Sequence, residues 1–294
     1  MLFIIEGFPS VLVAVWAWYW IPDSPASTPW LNARERKVAT LRMRKKLQVE
    51  IAHGHLDWTQ VRKTLSDPKS YLTAAIFFSC NVAFSSMPVF EPIIVKSIGY
   101  PPVVAQGLSA LPHLFAFVVV LVVAITSDRL RTRSYPIMTV ALMAMSGYIL
   151  LALAESLNLA HVLRYMCLFP ITAGFFSAVT LTITWTLDNQ QSDEGKGTGV
   201  AMLNYIGQLG PFVGTGLYPA RDAPYYTMGH AVCACFMGLI VVLTVVLRKL
   251  LVRENGTAAS TAMYARVDDH EEGEDSDERG RELVEKTPMF LYIL

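Results

Sequence analysis

The chain has 294 residues, of which 53% are hydrophobic and only 16% are charged, and its mean hydropathy is +0.40. The charged residues are almost absent from a series of long apolar runs, and this segregation excludes a soluble core. The formal net charge is zero, and no basic surface of the kind that binds nucleic acid is expected.

Seven apolar runs follow one another along the chain, and each is long enough to cross a membrane. A hydrocarbon core about 30 Å thick takes roughly 20 helical residues, and a helix satisfies its backbone hydrogen bonds internally. We therefore predict membrane helices at 2–20, 71–90, 103–125, 136–154, 163–187, 199–218 and 226–246. The four cysteines all lie within these runs and are expected to be apolar packing residues.

The first run begins almost at the first residue. It is too long for the apolar part of a secretory signal, it carries Glu6, and no basic segment precedes it, so we interpret it as a membrane helix. A chain that begins inside a membrane helix is expected to be the later part of a longer protein or a truncated gene model.

Lysine and arginine are divided unequally between the two sets of connections. Up to Arg253, the connections after the first, third, fifth and seventh runs contain seventeen of them, whereas the other connections contain three. By the positive-inside rule, the long loop and the C-terminus are expected in the cytosol, and the N-terminus outside.

The long loop and the C-terminal tail are both polar, but they differ in charge. After a rigid turn at 22–25, the loop continues as a basic, helix-like stretch at 31–51, which either rests on anionic lipid headgroups or is a solvated linker. The tail has ten carboxylates between 268 and 285 and few apolar residues, so it is expected to be disordered.

Several motifs along the chain occur in the order of a known membrane protein family. They are FIIEG at 3–7 leading to PDSP at 22–25, SDRLRTR at 127–133, TWTLDN at 184–189 with KGTG at 196–199, and IGQ at 206–208 followed by YP at 218–219 and DAPYY at 222–226. Together they resemble the fungal anion:cation symporter family of the major facilitator superfamily, which includes allantoate and nicotinate permeases. The resemblance extends over nearly the whole chain up to Arg253.

This resemblance implies an all-α membrane protein with a major facilitator-like C-terminal six-helix half, preceded by one helix of the N-terminal half. The implied domains are 1–21 for that last N-terminal-half helix, 22–70 for a cytosolic basic linker, 71–247 for the six-helix half and 248–294 for a cytosolic acidic disordered tail. The first five helices and half of the central cavity are then missing. The missing N-terminal half is expected to be required for transport.

The resemblance also implies a function. The protein is expected to be a multi-pass plasma-membrane transporter of a small organic anion, of the carboxylate vitamin or ureide class, coupled to a proton. Its expected partners are that anion, the proton and membrane lipid, without a cofactor or a metal. The motif at 127–133 is similar to the cytosolic loop motif of the superfamily, which implies a latch of Asp128, Arg129 and Arg133. Ala124 and Arg131 stand where that motif usually has glycines.

Polar side chains inside the membrane are the candidates for a substrate site, because they are costly in lipid. We interpret His113, ten residues into its run, as the one ionisable side chain near mid-depth. Imidazoles ordinarily titrate near pH 6.5, so His113 is a candidate for binding an anion or carrying a proton. A neutral structural histidine is the alternative, since the resembled family more often has tyrosine there.

Amide side chains form a second group of candidates. Asn204 and Gln208 are four residues apart and share a helix face, with Tyr205 beside them, and Asn81 is a similar amide in an earlier run. These groups either donate to a carboxylate substrate or form hydrogen bonds between helices. The glycines of the same run as Asn204 are predicted to permit close helix approach. They are Gly207, Gly210, Gly214 and Gly216.

Other classes of membrane protein remain as alternatives. A non-transporting sensor and an inactive truncated fragment of such a permease both fit the pattern. A seven-helix receptor fits less well. Such a receptor joins its first two helices by a few residues, whereas about fifty residues separate the first two runs of this chain. An enzyme is not expected, since no catalytic constellation is evident.

Overall fold

The computed structural model describes residues 2–22, 24–25, 27–28, 30–41, 58–97, 101–190, 192–223, 225–271 and 292–294. The chain divides into two compact units, Met1–Asp57 and Trp58–Leu294. The second unit contains all the candidate site residues.

The described residues of the first unit form two helices. Helix α1 covers Leu2–Trp20 and contains Pro9, and helix α2 covers 33–41. The carboxylate of Glu35 accepts a hydrogen bond from the backbone N–H of Asn32 at 2.9 Å, which is one half of a capping box at the N-terminus of α2. The predicted helical stretch at 31–51 is therefore helical at 33–41, and residues 42–51 lie outside the described part.

The second unit is built from helices throughout its described residues. Their bounds are Trp58–Ser66 for α3, Pro68–Ser97 for α4, Pro102–Leu130 for α5, Ser134–Ala152 for α6, His161–Met166 for α7, Leu168–Asp188 for α8, Asp193–Gly207 for α9, Gly210–Thr215 for α10 and Thr227–Glu271 for α11, with a short 3₁₀ turn at Ala220–Asp222. Helix α4 packs against α8, α9, α10 and α11, while α6 packs between α8 and α11.

Successive long helices run in opposite directions. Lys69 at the start of α4 is hydrogen-bonded to Glu254 late in α11, and Arg133 before α6 contacts Asp188 at the end of α8. We call this the basic end of the bundle, defined by these four residues. The other end, which we call the His230 end, contains Glu91, His113, Arg164, Tyr218 and His230.

Five stretches of the described residues are long and apolar enough to cross a membrane. They are Pro68–Met87, Gly107–Leu130, Ser134–Ala152, His161–Asp188 and Thr227–Thr257. Each overlaps one of the predicted runs. The predicted run at 199–218 is not one continuous helix, because the chain turns at residues 208 and 209 between α9 and α10.

Proline explains this break and one further feature of the bundle. Proline lacks an N–H, so Pro211 leaves the carbonyl of Gly207 without its helical donor. The side-chain amide of Asn81 donates to that carbonyl at 3.1 Å. In membrane helices such freed carbonyls are satisfied by neighbouring groups, and Asn81 fills this role.

Helix α5 repeats the arrangement. Pro112 lies inside α5 and frees the carbonyl of Leu108. The hydroxyl of Tyr165 in α7 donates to that carbonyl at 2.7 Å. Both proline sites are thus cross-braced from another helix.

Glycine brings α10 into backbone contact with α4. A Cβ atom at Gly210 would lie 2.7 Å from the carbonyl oxygen of Phe78, and one at Gly214 would overlap Ser85 and Val82. Gly207 is similarly close to Phe77 and Asn81 of α4. The predicted role in close approach is confirmed for these three glycines but is wrong for Gly216, whose nearest neighbours belong to its own turn.

The structure describes two parts of the segment 248–294, for which the sequence predicts a disordered tail. Helix α11 continues to Glu271 instead of ending near Val246, and residues 292–294 lie against the basic end through hydrogen bonds. The remainder, 272–291, lies outside the described residues. The acidic composition did not reveal the apolar residues Tyr292, Ile293 and Leu294, which close the chain.

Candidate functional site

His113 pairs with a carboxylate that lies on the neighbouring helix. Its Nδ1 atom is 3.8 Å from Oε1 of Glu91, and the Glu91 side chain is only 6% exposed whereas that of His113 is 46% exposed. The same Nδ1 is 3.1 Å from the carbonyl oxygen of Ser109. The imidazole therefore joins a buried carboxyl group to an open surface.

His113 lies eleven residues after Pro102, where α5 begins. The sequence singled it out as the one ionisable side chain near mid-depth, and the structure places the carboxyl group of Glu91 beside it.

Glu91 lies beyond the apolar stretch of α4, which ends at Met87. Burial raises the pKa of the Glu91 carboxyl, and the nearby His113 opposes that rise. A carboxyl group in this environment binds a proton more readily than an exposed one, because burial disfavours its charged form.

A buried arginine lies at the same end of the bundle. Arg164 is only 2% exposed, and its guanidinium carbon is 5.0 Å from the centre of the Tyr225 ring. It precedes Tyr165, which braces α5, so the two residues of α7 contact different parts of the unit. A buried guanidinium is costly and favours a compensating anion or aromatic face.

His230 belongs to a hydrogen-bonded cluster. The hydroxyl of Tyr218 is 3.3 Å from Nδ1 of His230 and 3.6 Å from the sulfur of Cys233. Cys233 in turn contacts Ser86 at 3.6 Å, and Ser86 lies 3.5 Å from the hydroxyl of Tyr148. These groups come from α4, α6, the end of α10 and α11, so the cluster links four segments through polar contacts.

The predicted amide group does not form one site with His113. Asn204 is exposed and donates to the carbonyl of Val200 in its own helix at 2.9 Å. Tyr205 is 81% exposed, and Gln208 is also exposed. Asn81 is buried, and its amide donates to the carbonyl of Gly207 at the α9–α10 break, next to Gln208 in the sequence. His113 contacts other residues, Glu91, Ser109 and Phe176.

Among the three latch candidates, Arg133 makes the contacts that connect helices at the basic end. Arg133 donates to the carboxylates of both Asp128 and Asp188, the latter at 3.0 Å, and it also donates to the hydroxyl of Ser127 at 3.1 Å. Its guanidinium thereby connects the α5–α6 connection with the end of α8. Arg129 is exposed and lies on another side of its helix turn.

Sequence reasoning missed Glu91, Arg164 and His230. The predicted run ended at residue 90, so Glu91 was assigned to the connection after it, yet α4 continues to Ser97. Arg164 was counted only as a loop charge at a span edge. The available signal for His230 was a histidine four residues inside an apolar run, since ionisable residues inside membrane helices are candidate functional residues.

Comparison with known proteins identifies the family. The family model described as Major Facilitator Superfamily matches residues 1–215. The chain belongs to the major facilitator superfamily. It is thus an all-α membrane protein of a superfamily of transporters, which argues against the enzyme class.

Curated members of the major facilitator superfamily resemble the chain over most of its length. It is 29% identical to an uncharacterised transporter of Schizosaccharomyces pombe over 94% of the chain and 56% of that protein. It is 30% identical to a major facilitator-type transporter of Emericella nidulans over 80% of the chain and 47% of that protein. It is 26% identical to the high-affinity nicotinic acid transporter of Saccharomyces cerevisiae over 81% of the chain and 43% of that protein.

The chain spans about half the length of the curated relatives that it matches. No solved structure matches it significantly.

Proposed function

We propose that the chain is the C-terminal part of a proton-coupled transporter of a small organic anion, of the fungal anion:cation symporter type. The six-helix half would act by alternating access against a second half, as secondary transporters do. The basic end and the C-terminus lie in the cytosol in this proposal, because the basic connections favour that side. The His230 end then faces outward in a plasma membrane.

The observation that carries the proposal is the Glu91–His113 pair. A buried carboxyl group and a half-exposed imidazole lie 3.8 Å apart, so charge on the imidazole affects how readily the carboxyl group of Glu91 binds a proton. Carboxyl and imidazole groups held within helical bundles form the proton relays of many pumps and transporters. In the proposal, Glu91 takes up a proton from the outside and loses its negative charge. This loss changes the electrostatic environment of His113 at the open surface.

An anionic substrate fits the same end for electrostatic reasons. Arg164 is a buried cation there, and His113 adds a second positive charge when it is protonated. The ring of Phe176 lies 5.9 Å from the His113 ring and gives the open surface an aromatic wall. In the proposal, a small aromatic carboxylate contacts the His113 imidazole and the Phe176 ring, and Arg164 contributes positive charge from inside the same end of the bundle. Nicotinic acid, the substrate in the name of the yeast relative, has this chemistry.

The amide candidates have a second place in the proposal. Asn204, Tyr205 and Gln208 are exposed on α9 and the turn after it, and they are proposed to face the second half of the transporter. There they would donate to the substrate only when both halves are assembled. The Asp128, Arg129 and Arg133 group would hold the cytosolic side closed through the contacts of Arg133.

The test is uptake of radiolabelled nicotinate by yeast cells that lack their own nicotinate uptake. The chain would be expressed alone and joined to an upstream five-helix segment from a relative, with surface abundance measured in parallel. We expect saturable, pH-dependent uptake only for the joined protein, because a site between two halves needs both walls. Saturable uptake by the chain alone would contradict the requirement for a second half.

Variants of the joined protein test the pair itself. Glu91→Gln is expected to reduce proton-dependent uptake to the level of cells without the transporter, at unchanged surface abundance. His113→Ala is expected to retain some uptake with a raised apparent substrate constant and a flatter pH profile. If both variants keep the parental pH profile per molecule at the surface, the pair does not carry the proton. Lys249→Gln, a change at an exposed position of α11 that has no part in the proposal, is the matched control.

A further inference from the structure

The last three residues of the chain are bound at the basic end mainly through their main chain. The side-chain amide of Asn255 donates to the carbonyl of Tyr292 at 3.0 Å and accepts from the N–H of the same residue at 2.9 Å. The amide of Asn189 makes the same pair of contacts with Ile293, at 3.2 Å and 2.8 Å. Asn255 in α11 and Asn189 at the end of α8 thus each bind both main-chain polar groups, the N–H and the C=O, of one residue.

Further donors complete the contact with the main chain. The indole N–H of the fully buried Trp185 donates to the carbonyl of Ile293 at 2.7 Å. The backbone N–H groups of Arg133 and Ser134 at the N-terminus of α6 donate to the main-chain oxygen of Leu294. A helix N-terminus has unsatisfied N–H groups, and here an acceptor from the terminal segment occupies them.

Side chains add a smaller set of contacts. The ammonium group of Lys69 donates to the hydroxyl of Tyr292 at 3.1 Å and lies 4.2 Å from the centre of its ring. The side chains of Tyr292 and Leu294 pack against the hydrophobic core. Lys69 also binds Glu254, so the tyrosine joins an existing ion pair.

We propose that the basic end contains a docking site for an extended main chain, and that its occupant is this chain's own segment 292–294. The site consists of Lys69, Trp185, Asn189, Asn255 and the N-terminus of α6. These groups belong to α4, α6, α8 and α11, so the docked segment fastens four helix ends together. Recognition is by peptide groups, because both asparagines bind the main chain and neither binds a side chain.

The arrangement predicts what breaks the docking. An asparagine amide can bind the main chain of one residue through one donor and one acceptor. Proline has no N–H, so it cannot donate a hydrogen bond to Oδ1 of Asn189. Ile293→Pro therefore removes the donor that Asn189 needs, while Ile293→Val keeps it. Asn189→Ala removes the other partner of the same contact.

The test is a double-variant cycle of thermal stability on the full chain in detergent. Ile293→Pro and Asn189→Ala are each expected to lower the melting temperature by about 3 °C, and the double variant by no more than either alone, because both remove one contact. Ile293→Val and Gln190→Ala are the controls. Gln190 is the neighbouring amide, and it contacts Thr64 instead of the terminal segment.

Hydrogen exchange distinguishes docking from a general loss of stability. In Ile293→Pro, the amides of Arg133 and Ser134 are expected to exchange at least tenfold faster, while amides in the middle of α6 keep their protection. Additive melting shifts in the cycle, or unchanged exchange at Arg133 and Ser134, would overturn the proposal. A melting temperature of Ile293→Pro equal to that of Ile293→Val would also overturn it.

Discussion

The two ends of the helical bundle use charged residues in opposite ways. At the basic end, Arg133 contacts two carboxylates and Lys69 contacts Glu254, and the partners Asp128 and Glu254 are largely open to solvent. At the His230 end, Glu91 and Arg164 are buried, with partners that are an imidazole and an aromatic ring. The first arrangement costs little desolvation, whereas the second costs much more.

This difference separates bracing from function. Exposed ion pairs in a network hold helix ends together at little cost, and replacing them alters stability. Buried ionisable groups at the edge of a membrane bundle are a liability for folding, so their presence favours a role in binding or proton transfer. Substitutions at the basic end should change stability, and substitutions at the His230 end should change transport. If substitutions at the His230 end changed stability alone, this distinction would not hold.

The largest effect is expected where α10 touches α4 at the His230 end. Gly214→Leu is expected to abolish the folded protein in the membrane, because any side chain there overlaps Ser85 and Val82, and the backbone of α4 cannot yield as a side chain would. The measurement is the monodisperse fraction in detergent chromatography. Gly216→Leu, two residues along with no close neighbour outside its own turn, is expected to remain folded. Equal recovery of the two variants would show that the close approach is not required.

The second effect tests bracing at the basic end. Arg133→Ala is expected to lower the free energy of unfolding by about 2 kcal/mol, below the cost of breaking a fully buried pair, because its side chain is mostly buried but Asp128 is exposed. Arg129→Ala, with an exposed side chain, is expected to change it by less than about 0.5 kcal/mol. Thermal unfolding in detergent measures both. Similar losses for the two variants would remove the special role of Arg133.

The sequence predicted the helices of this fold well because their signal is simple. A run of about 20 apolar residues has few alternatives in a membrane, and the runs at 136–154 and 226–246 became α6 and the first part of α11. The prediction differed from the structure at two places. Pro211 interrupts the run at 199–218, and α4 continues seven residues beyond the predicted run at 71–90, so Glu91 is helical and buried.

The candidate site was less predictable because it depends on which side chains meet. His113 was correctly found as an ionisable residue in a helix, but its partner Glu91 lies in another helix, and no spacing along the chain reveals that pair. Asn81 was interpreted as a candidate for substrate binding, and the structure directs it to the carbonyl that Pro211 frees. The docked segment 292–294 was hidden because the acidic residues before it dominate the composition.

A third effect concerns the pH dependence of stability. The pKa of the Glu91 carboxyl is raised by burial, so the folded state holds its proton to higher pH than the unfolded chain does. The resulting stabilisation is present below the ordinary pKa of a carboxyl group and is lost as pH rises through the raised pKa. As pH rises from the ordinary carboxyl pKa to the raised one, the melting temperature of the parent is expected to fall more steeply than that of Glu91→Gln. Parallel pH profiles of the two proteins would contradict a buried, titrating Glu91.

The smallest effect separates the two amides that the sequence placed in one group. Asn81→Ala is expected to lower the free energy of unfolding by about 1 kcal/mol, within the range of hydrogen bonds between membrane helices, because it leaves the carbonyl of Gly207 without a donor beside Pro211. Asn204→Ala is expected to have almost no effect on stability, because its amide donates within its own helix and is exposed. Thermal unfolding of both variants in detergent measures the difference. The double variant Asn81→Ala with Pro211→Ala makes the test stricter, since alanine at 211 has an N–H that can donate to Gly207. The cost of losing Asn81 should then shrink, whereas an unchanged cost would mean that Asn81 acts through packing and not through the carbonyl that proline frees.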